Sequence, residues 1–166
     1  MPGISVRPPA TGDGREMARI WLAAARYYAE LEPELFRVPY EEGLAEAFET
    51  SIRVNRTDGE LQLVAEDDGR LVGMVEARLV EPVENAGIQL VRYVGQRHVI
   101  IDSLMVDPTS WRQGIGAELM EAVEGWGRTR GAVLARLDTF ADSPVSIPFY
   151  ERQGYRRRSV IFEKPL

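Results

Sequence analysis

The sequence predicts an α/β domain built on a mixed sheet, and three observations support this class. Apolar residues recur at helical spacing early in the chain, at strand spacing from Glu60, and then in alternating strand and helix patterns. The 166 residues include 45% hydrophobic side chains and no cysteine, so one core can form without disulfides. We therefore expect residues 1–166 to form a single domain.

A strand and two helices are predicted in the first 59 residues. The Thr11-Gly12-Asp13 turn is an N-cap signal, and apolar side chains at helical spacing follow it to Leu31. Pro33 and Pro39 mark the next segment as a loop. The predicted boundaries are 4–7 for the strand, 32–40 for the loop, 41–54 for the second helix and 55–59 for the break after it.

A hairpin and then alternating strands and helices are predicted in the rest of the chain. Alternating segments flank Asp67-Asp68-Gly69, which is a hairpin turn signal. The nearly continuous apolar run 98–106 is typical of a strand buried on both faces. Residues 81–96 either extend the hairpin or form a loop. The remaining predictions are strands at 61–66, 70–80, 132–140 and 155–166, a helix at 114–131 and a short helix that ends near 153–154.

The charge distribution argues against a nucleic-acid partner and indicates where charged ligands bind. The net charge is -6, whereas phosphate backbones require dense Lys and Arg. Residues 1–100 carry 17 acidic and 11 basic side chains, and residues 101–166 carry 9 of each. An anionic cofactor therefore suits the second half, and the acidic excess either attracts a cationic acceptor or solvates the surface. Since no apolar run approaches the roughly 20 residues of a membrane span, and no signal peptide is evident, we expect a cytoplasmic protein without a membrane partner.

The segment that opens the 114–131 helix carries the most chemical information. In Gln113-Gly114-Ile115-Gly116-Ala117, two glycines precede an amphipathic helix, whose first amides can cradle a phosphate. The segment lacks the third glycine of a dinucleotide-binding motif, and it also lacks the Gly-Lys-Ser/Thr of a P-loop. Glycines that only separate two elements are the structural alternative.

This segment resembles the GNAT superfamily of N-acyltransferases. The family pattern, a strand ending in apolar-x-Val-x-Pro, a Gln/Arg-x-x-Gly-x-Gly/Ala loop and a helix, reads LMVDPTSWRQGIGA at 104–117. A second family element, FYERQGY, follows at 149–155. The resemblance implies a mixed sheet that is splayed between two neighbouring strands, with helices on both faces. It also implies acetyl-CoA as cosubstrate, no metal, and a small-molecule amine or protein amino group as acceptor.

The resemblance also assigns the cofactor contacts. Trp111 stands where the family has Gln or Arg, which alters the expected contacts at the cofactor edge. Ser143 and Ser146 replace a frequent Asn and Ala, and Ser143 is expected to cap the last helix or to bind pantetheine. The implied contacts are the backbone of Leu104, Met105 and Val106, the loop residues Trp111, Arg112, Gln113, Gly114, Ile115, Gly116 and Ala117, and Ser143, Ser146 and Phe149.

Tyr150 and Asp102 are the predicted catalytic residues. By resemblance, the Tyr150 phenol protonates the departing thiolate, although Phe149 and Tyr150 also fit a core aromatic pair. Asp102 is a lone carboxylate in an apolar strand, expected on the same face as Leu104, and is either the proton acceptor or a structural hydrogen-bond partner. His98, expected at the surface, and Glu76, expected to face solvent, are alternative bases, and a water chain is another.

Several functional choices stay open at this level. The leading hypothesis is an acetyl-CoA-dependent N-acetyltransferase; the alternatives are a non-catalytic acyl-CoA-binding regulatory module and a nucleotide-binding α/β protein. Family members often form homodimers, and this chain is compatible with one. Two groups each have two alternative roles. The aromatic residues either belong to the core or line the acceptor pocket; they are Tyr27, Tyr28, Phe36 and Tyr40. The arginines either are solvated or contact the cofactor's 3'-phosphate; they are Arg156, Arg157 and Arg158.

Overall fold

The computed structural model describes residues 3–54 and 56–166, and within them five strands and four α-helices form. The strands are β1 (Ser5–Arg7), β2 (Glu60–Asp67), β3 (Arg70–Val80), β4 (His98–Val106) and β5 (Leu134–Leu137). The helices are α1 (Gly14–Leu31), α2 (Leu44–Arg53), α3 (Ile115–Thr129) and α4 (Ser146–Arg152). The chain divides into two compact units, 1–136 and 137–166.

The sheet is mixed, as predicted, with the strand order β1-β2-β3-β4-β5. The pairs from β1 to β4 are antiparallel. Asp68 and Gly69 connect β2 to β3 with φ angles of 48° and 78°, which suits a two-residue hairpin turn. The amide of Val133 donates to the carbonyl of Arg97 at 3.0 Å, so β4 and β5 begin side by side and run in the same direction.

Helices cover both faces of the sheet in the first unit. Gly73 and Met74 are neighbours on β3, so they face opposite sides. A Cβ at Gly73 would lie 2.9 Å from Ile115, which places α3 on that side. Met74 packs with Met17 and Ile20 in the core, so α1 covers the other side. The predicted α/β class with helices on both faces is confirmed.

The beginning of α1 is capped from α2. Asp13 occupies the predicted N-cap position, but its carboxylate makes no cap bond and instead binds Arg7 at 2.7 Å. Glu49 of α2 accepts a hydrogen bond from the Gly14 amide at 3.1 Å. A Cβ at Gly14 would lie 2.7 Å from the Ala45 carbonyl oxygen, so a side chain there would separate the two helices. The sequence signal therefore located the helix start correctly and its capping group incorrectly.

Two elements each have one end that differs by three residues from the sequence prediction, and the structure also defines the open segment 81–96. The second helix begins at Leu44, after Gly43 with a φ of 78°, and Asn55 of the predicted break lies outside the described residues. β5 ends at Leu137, three residues before the predicted end. Residues 81–96 contain two short 3-10 turns and are closed by the Val83 amide, which donates to the Val94 carbonyl at 2.9 Å.

The predicted strand at 155–166 is wrong. These residues form no regular element, and the side chains of Val160, Ile161 and Phe162 are 71%, 83% and 91% exposed. A segment with apolar and β-branched residues becomes a strand only when its backbone pairs with a sheet edge, and this segment has no strand partner among the described residues. In the part of the chain that the structure describes, no helix has the length and apolar character needed to cross a membrane.

Candidate active site

The second half of β4 lies at an open edge of the sheet. β4 has nine residues and β5 has four, so β5 can pair only with part of β4. His98, Val99 and Ile101 are buried, but residues 102–106 are all at least partly exposed. The prediction of a strand buried on both faces therefore holds only for its beginning. A strand edge without a neighbouring strand presents backbone N–H and C=O groups to an extended ligand. The residues predicted to pair with pantetheine, Leu104, Met105 and Val106, lie in this segment.

The loop between β4 and α3 has the backbone shape of an anion site. Arg112 and Gly114 have φ angles of 65° and 86°, both in the left-handed region. This conformation costs a non-glycine residue about 1–2 kcal/mol. The N-cap of α3 is Gly114, which has no side chain with which to cap the helix, so the first amides and their partial positive charge need another acceptor. A Cβ at Gly114 would meet no atom within 4 Å, so there is space for a phosphate beside the loop.

The carboxylate of Asp107 fixes this loop at its beginning. Asp107 is 2% exposed and accepts hydrogen bonds from the Thr109 amide at 3.0 Å and the Thr109 hydroxyl at 2.7 Å. It also forms ion pairs with Arg19 of α1 and, at 3.2 Å, with Arg70. Burial by itself raises the pKa of Asp107, but the hydrogen bonds from Thr109 and Arg19 outweigh burial and hold that pKa below its usual range.

Sequence reasoning missed this cluster. Asp107 directly follows a buried strand and precedes Pro108, which is the signal that would have identified it as a loop anchor. Arg19 carries no such signal, because it lies 88 residues from Asp107 along the chain. Only the fold brings α1 against the end of β4.

Trp111 ties the same loop to β4 and to α1. Its indole N–H donates to the carbonyl of Val106 at 2.9 Å, and its ring meets that of Tyr27 edge-on with centroids 4.7 Å apart. The family's Gln or Arg is thus replaced by a side chain that holds the loop in place. The Val106 carbonyl retains its second lone pair for a ligand.

A series of ring contacts leads from Trp111 through Tyr27 and Tyr28 of α1 to Phe36. The rings of Tyr27 and Tyr28 lie 5.3 Å apart, and those of Tyr28 and Phe36 lie 5.3 Å apart. All of these side chains are half-buried, which fits either role predicted for them. Tyr40 is 89% exposed and lies outside this series.

Asp102 lies in a bulge of β4. Glu76 pairs with Ser103 and Ala77 pairs with Ile101, so Asp102 is an extra residue without a partner on β3. Its carboxylate lies 3.1 Å from the guanidinium of Arg78, which alternation along β3 places on the face of Met74, opposite to the face of Val75 and its partner Leu104. The prediction that Asp102 shares the face of Leu104 is wrong, because the bulge interrupts the alternation on which it was based.

The other two candidate bases have definite partners. Glu76 is half-buried and accepts a hydrogen bond from Gln62 at 2.6 Å, so it is less exposed than predicted. His98 is 3% exposed, and its Nδ1 lies 2.8 Å from the carbonyl oxygen of Gln96. The prediction of a surface histidine is therefore wrong, because the beginning of β4 is buried.

The second unit contains the remaining predicted residues. The Ser143 hydroxyl oxygen accepts a hydrogen bond from the Ser146 amide at 3.0 Å, which caps the beginning of α4, and Ser143 is 2% exposed. The rings of Phe149 and Tyr150 lie 5.1 Å apart, and those of Tyr150 and Tyr155 lie 6.0 Å apart. Ser143 thus takes the first of its two predicted roles, the cap, and the ring contact fits the core aromatic pair that was the alternative for Phe149 and Tyr150.

Solved structures share this fold. A mutant of the BH1408 protein from Bacillus halodurans has a TM-score of 0.82 at 21% identity, with 98% of this chain and 99% of that chain covered. PaiA N-acetyltransferase from Thermoplasma acidophilum in complex with coenzyme A has a TM-score of 0.71 at 17% identity, with 96% and 93% covered. Aminoglycoside N-acetyltransferase AAC(6')-Iy in complex with CoA has a TM-score of 0.67 at 17% identity, with 98% and 95% covered.

A comparison of the sequence with curated proteins finds no match. The model of the acetyltransferase (GNAT) family matches residues 21–155, which include β4, the glycine loop, α3 and α4. This match spans most of the chain and agrees with the fold of the solved structures. The chain therefore belongs to the GNAT acetyltransferase family.

Proposed function

We propose that this protein is an acetyl-CoA-dependent N-acetyltransferase that acts on a primary amine, with residues 1–166 as one catalytic domain. The observation that carries this proposal is the uncapped beginning of α3, with left-handed Arg112 and Gly114, directly after the open edge of β4. Two proteins of similar fold contain coenzyme A, which supports the choice of cofactor. The cytoplasmic location and the homodimer expected from the sequence stay predictions.

The residues around the loop fit the chemistry of coenzyme A. Acetyl-CoA supplies a thioester whose acetyl carbon an amine can attack. The amides of residues 112–117 would bind its pyrophosphate, and Arg112 would add a full positive charge. Backbone groups of Leu104, Met105 and Val106 would pair with pantetheine, and one of their amides would stabilise the developing oxyanion. Ser143, Ser146 and Phe149 are proposed contacts by resemblance.

Two side chains are proposed to move protons. Asp102 takes one proton from the ammonium group, so that the neutral amine can attack the acetyl carbon, and Tyr150 gives its phenolic proton to the sulfur as the C–S bond breaks. The nitrogen of the new C–N bond then loses a second proton to the Tyr150 phenolate, which restores the phenol. Asp102 releases its proton to solvent, so the net products are the amide, the free thiol and one proton.

Thiol release from acetyl-CoA with a panel of amines tests the proposal. The wild type should release coenzyme A only when an acceptor amine is present. The Tyr150→Phe variant should turn over more slowly by about 10- to 100-fold with unchanged cofactor affinity. Gly114→Ala should weaken cofactor binding, because its φ of 86° strains any side chain. Acetyl-CoA binding without turnover on any amine would instead support a regulatory module, and binding of NAD or ATP in its place would support a nucleotide-binding protein.

A further inference from the structure

Gln62 is a buried polar side chain with no part in the chemistry described above. It lies on β2 and is 3% exposed. Its Oε1 accepts a hydrogen bond from Arg56 at 2.6 Å, and its Nε2 donates to Glu76 Oε1 at 2.6 Å. Burying an amide costs free energy unless both of its ends are satisfied. The contacts of Gln62 therefore fix the position of the Glu76 carboxylate.

The position of Glu76 relates it to the proposed reaction. Glu76 is directly opposite Gln62 on one side and Ser103 on the other, so these three residues form a row across the sheet. Their side chains share the face of Met74, which α1 and α2 cover. Opposed residues of antiparallel strands lie about 4.5–5.5 Å apart. Glu76 is thus one strand away from the second half of β4, residues 102–106, which has the open edge.

The carboxylates of Glu76 and Asp102 differ in whether a cation compensates their charge. Arg78 forms an ion pair with Asp102 at 3.1 Å. Glu76 has no ion pair within 3–54 and 56–166, and its hydrogen bond comes from a neutral amide. Arg56 reaches the Gln62 amide rather than the carboxylate. A half-buried carboxylate without a cationic partner attracts a cation more strongly than a carboxylate surrounded by water does.

We propose that Glu76 binds the ammonium group of the acceptor and that Gln62 is its positioning residue. This inference rests on the proposed function and narrows its substrate class to amines that are cationic in solution. Arg56, Gln62 and Ser51, which lies 3.4 Å from Gln62 Nε2, hold the carboxylate toward the α1 and α2 side. Glu76 contributes binding, and Asp102 keeps the proposed role of proton acceptor.

Binding of a non-reacting pair tests the proposal without turnover. Benzylamine, which is cationic at neutral pH, and benzyl alcohol, which is neutral, are titrated by calorimetry into protein saturated with coenzyme A. Glu76→Gln should raise the Kd of benzylamine about tenfold or more, since this substitution removes the charge and keeps the shape. It should leave the Kd of benzyl alcohol and of coenzyme A unchanged. Glu76→Asp should retain part of the preference for benzylamine.

Two further variants separate charge from structure. Glu121→Gln, at an exposed position of α3, makes the same chemical change elsewhere and should alter neither Kd. Gln62→Leu should weaken benzylamine binding less than Glu76→Gln while leaving benzyl alcohol unaffected. Equal benzylamine affinity in the wild type and Glu76→Gln, or no saturable benzylamine binding by the wild type, would overturn the proposal. Failure of every amine to release thiol would instead refute the N-acetyltransferase function and leave this binding test intact.

Discussion

At the scale of single residues, the contacts of one buried carboxylate, Asp107, hold the loop of the candidate site in place. The Asp107 carboxylate accepts hydrogen bonds from the amide and hydroxyl of Thr109 and from the guanidinium of Arg19. It therefore connects the end of β4 to the 3-10 turn at Pro108–Ser110 and to helix α1. A buried carboxylate that lost these partners would face the full cost of desolvation. The same contacts that stabilise the protein therefore also set the position of the candidate cofactor loop.

Because its pKa is lowered in the folded protein, Asp107 should make the free energy of unfolding fall in acid. Its pKa is lowered in the folded state, so the unfolded chain binds its proton first as the pH falls. This stabilisation is complete above the ordinary carboxyl pKa of about 3.9 and is lost as the pH falls through the lower folded value. Urea unfolding between about pH 6 and pH 3 should show this slope. Asp107→Asn should be less stable at neutral pH and should have a smaller slope, and an unchanged slope would contradict the assignment.

Arg19 should support both stability and cofactor affinity. Arg19→Gln removes one of two arginines from Asp107, which still has Arg70 and Thr109, so the expected loss is about 2 kcal/mol of unfolding free energy. The Kd of acetyl-CoA should rise as the loop loosens, while kcat at saturation stays the same. Arg15→Gln is the matched control, because Arg15 is an exposed arginine on the same helix. A lowered kcat with unchanged cofactor affinity would argue against a positioning role for Arg19.

At the scale of elements, two glycines of α3, one packed against the sheet and one not, test how closely the helix and the sheet pack. A Cβ at Gly127 would lie 2.5 Å from the side chain of Val99, whereas a Cβ at Gly125 would meet nothing within 4 Å. Gly125→Ala should therefore raise stability by about 0.5–1 kcal/mol through helix propensity. Gly127→Ala should lower stability by about 1–3 kcal/mol, because it pushes α3 away from β4. Thermal unfolding of both variants distinguishes packing from propensity, and the same sign for both would refute this packing.

The elements that could be predicted from sequence are those with local signals. The β2–β3 hairpin carries its own turn at Asp68-Gly69, and α3 has a regular apolar stripe after two glycines. The cap of α1 could not be predicted, because Glu49 belongs to another helix. The bulge at Asp102 was equally invisible, since it depends on the register between β3 and β4. The residue types at 155–166 also predicted a strand that has no pairing edge among the described residues.

At the scale of the whole molecule, the sequence located the candidate cofactor loop better than the proposed acceptor side. The loop is one continuous segment, so a motif can find residues 111–117 directly. The proposed acceptor side combines Glu76, Gln62, Asp102 and Arg78 from three strands, and only the fold brings them together. The interpretation of Glu76 as an ordinary solvent-facing side chain came from its strand alone and overlooked Gln62 on the neighbouring strand.

The uneven charge of the chain leads to a prediction that no single residue carries. Residues 1–100 hold 17 acidic and 11 basic side chains, and residues 101–166 hold 9 of each, so the entire charge of -6 falls on the part that contains Glu76. Such a field concentrates a cationic acceptor near the protein, and salt screens the field beyond about 10 Å at 0.1 M.

With benzylamine as acceptor, kcat/KM should fall several-fold between about 0.02 M and 0.5 M NaCl. Aniline, which is uncharged at neutral pH, should show little change. The Glu76→Gln variant should keep most of this salt dependence because five of the six charges remain, so its complete loss would assign the attraction to one carboxylate instead of the whole surface.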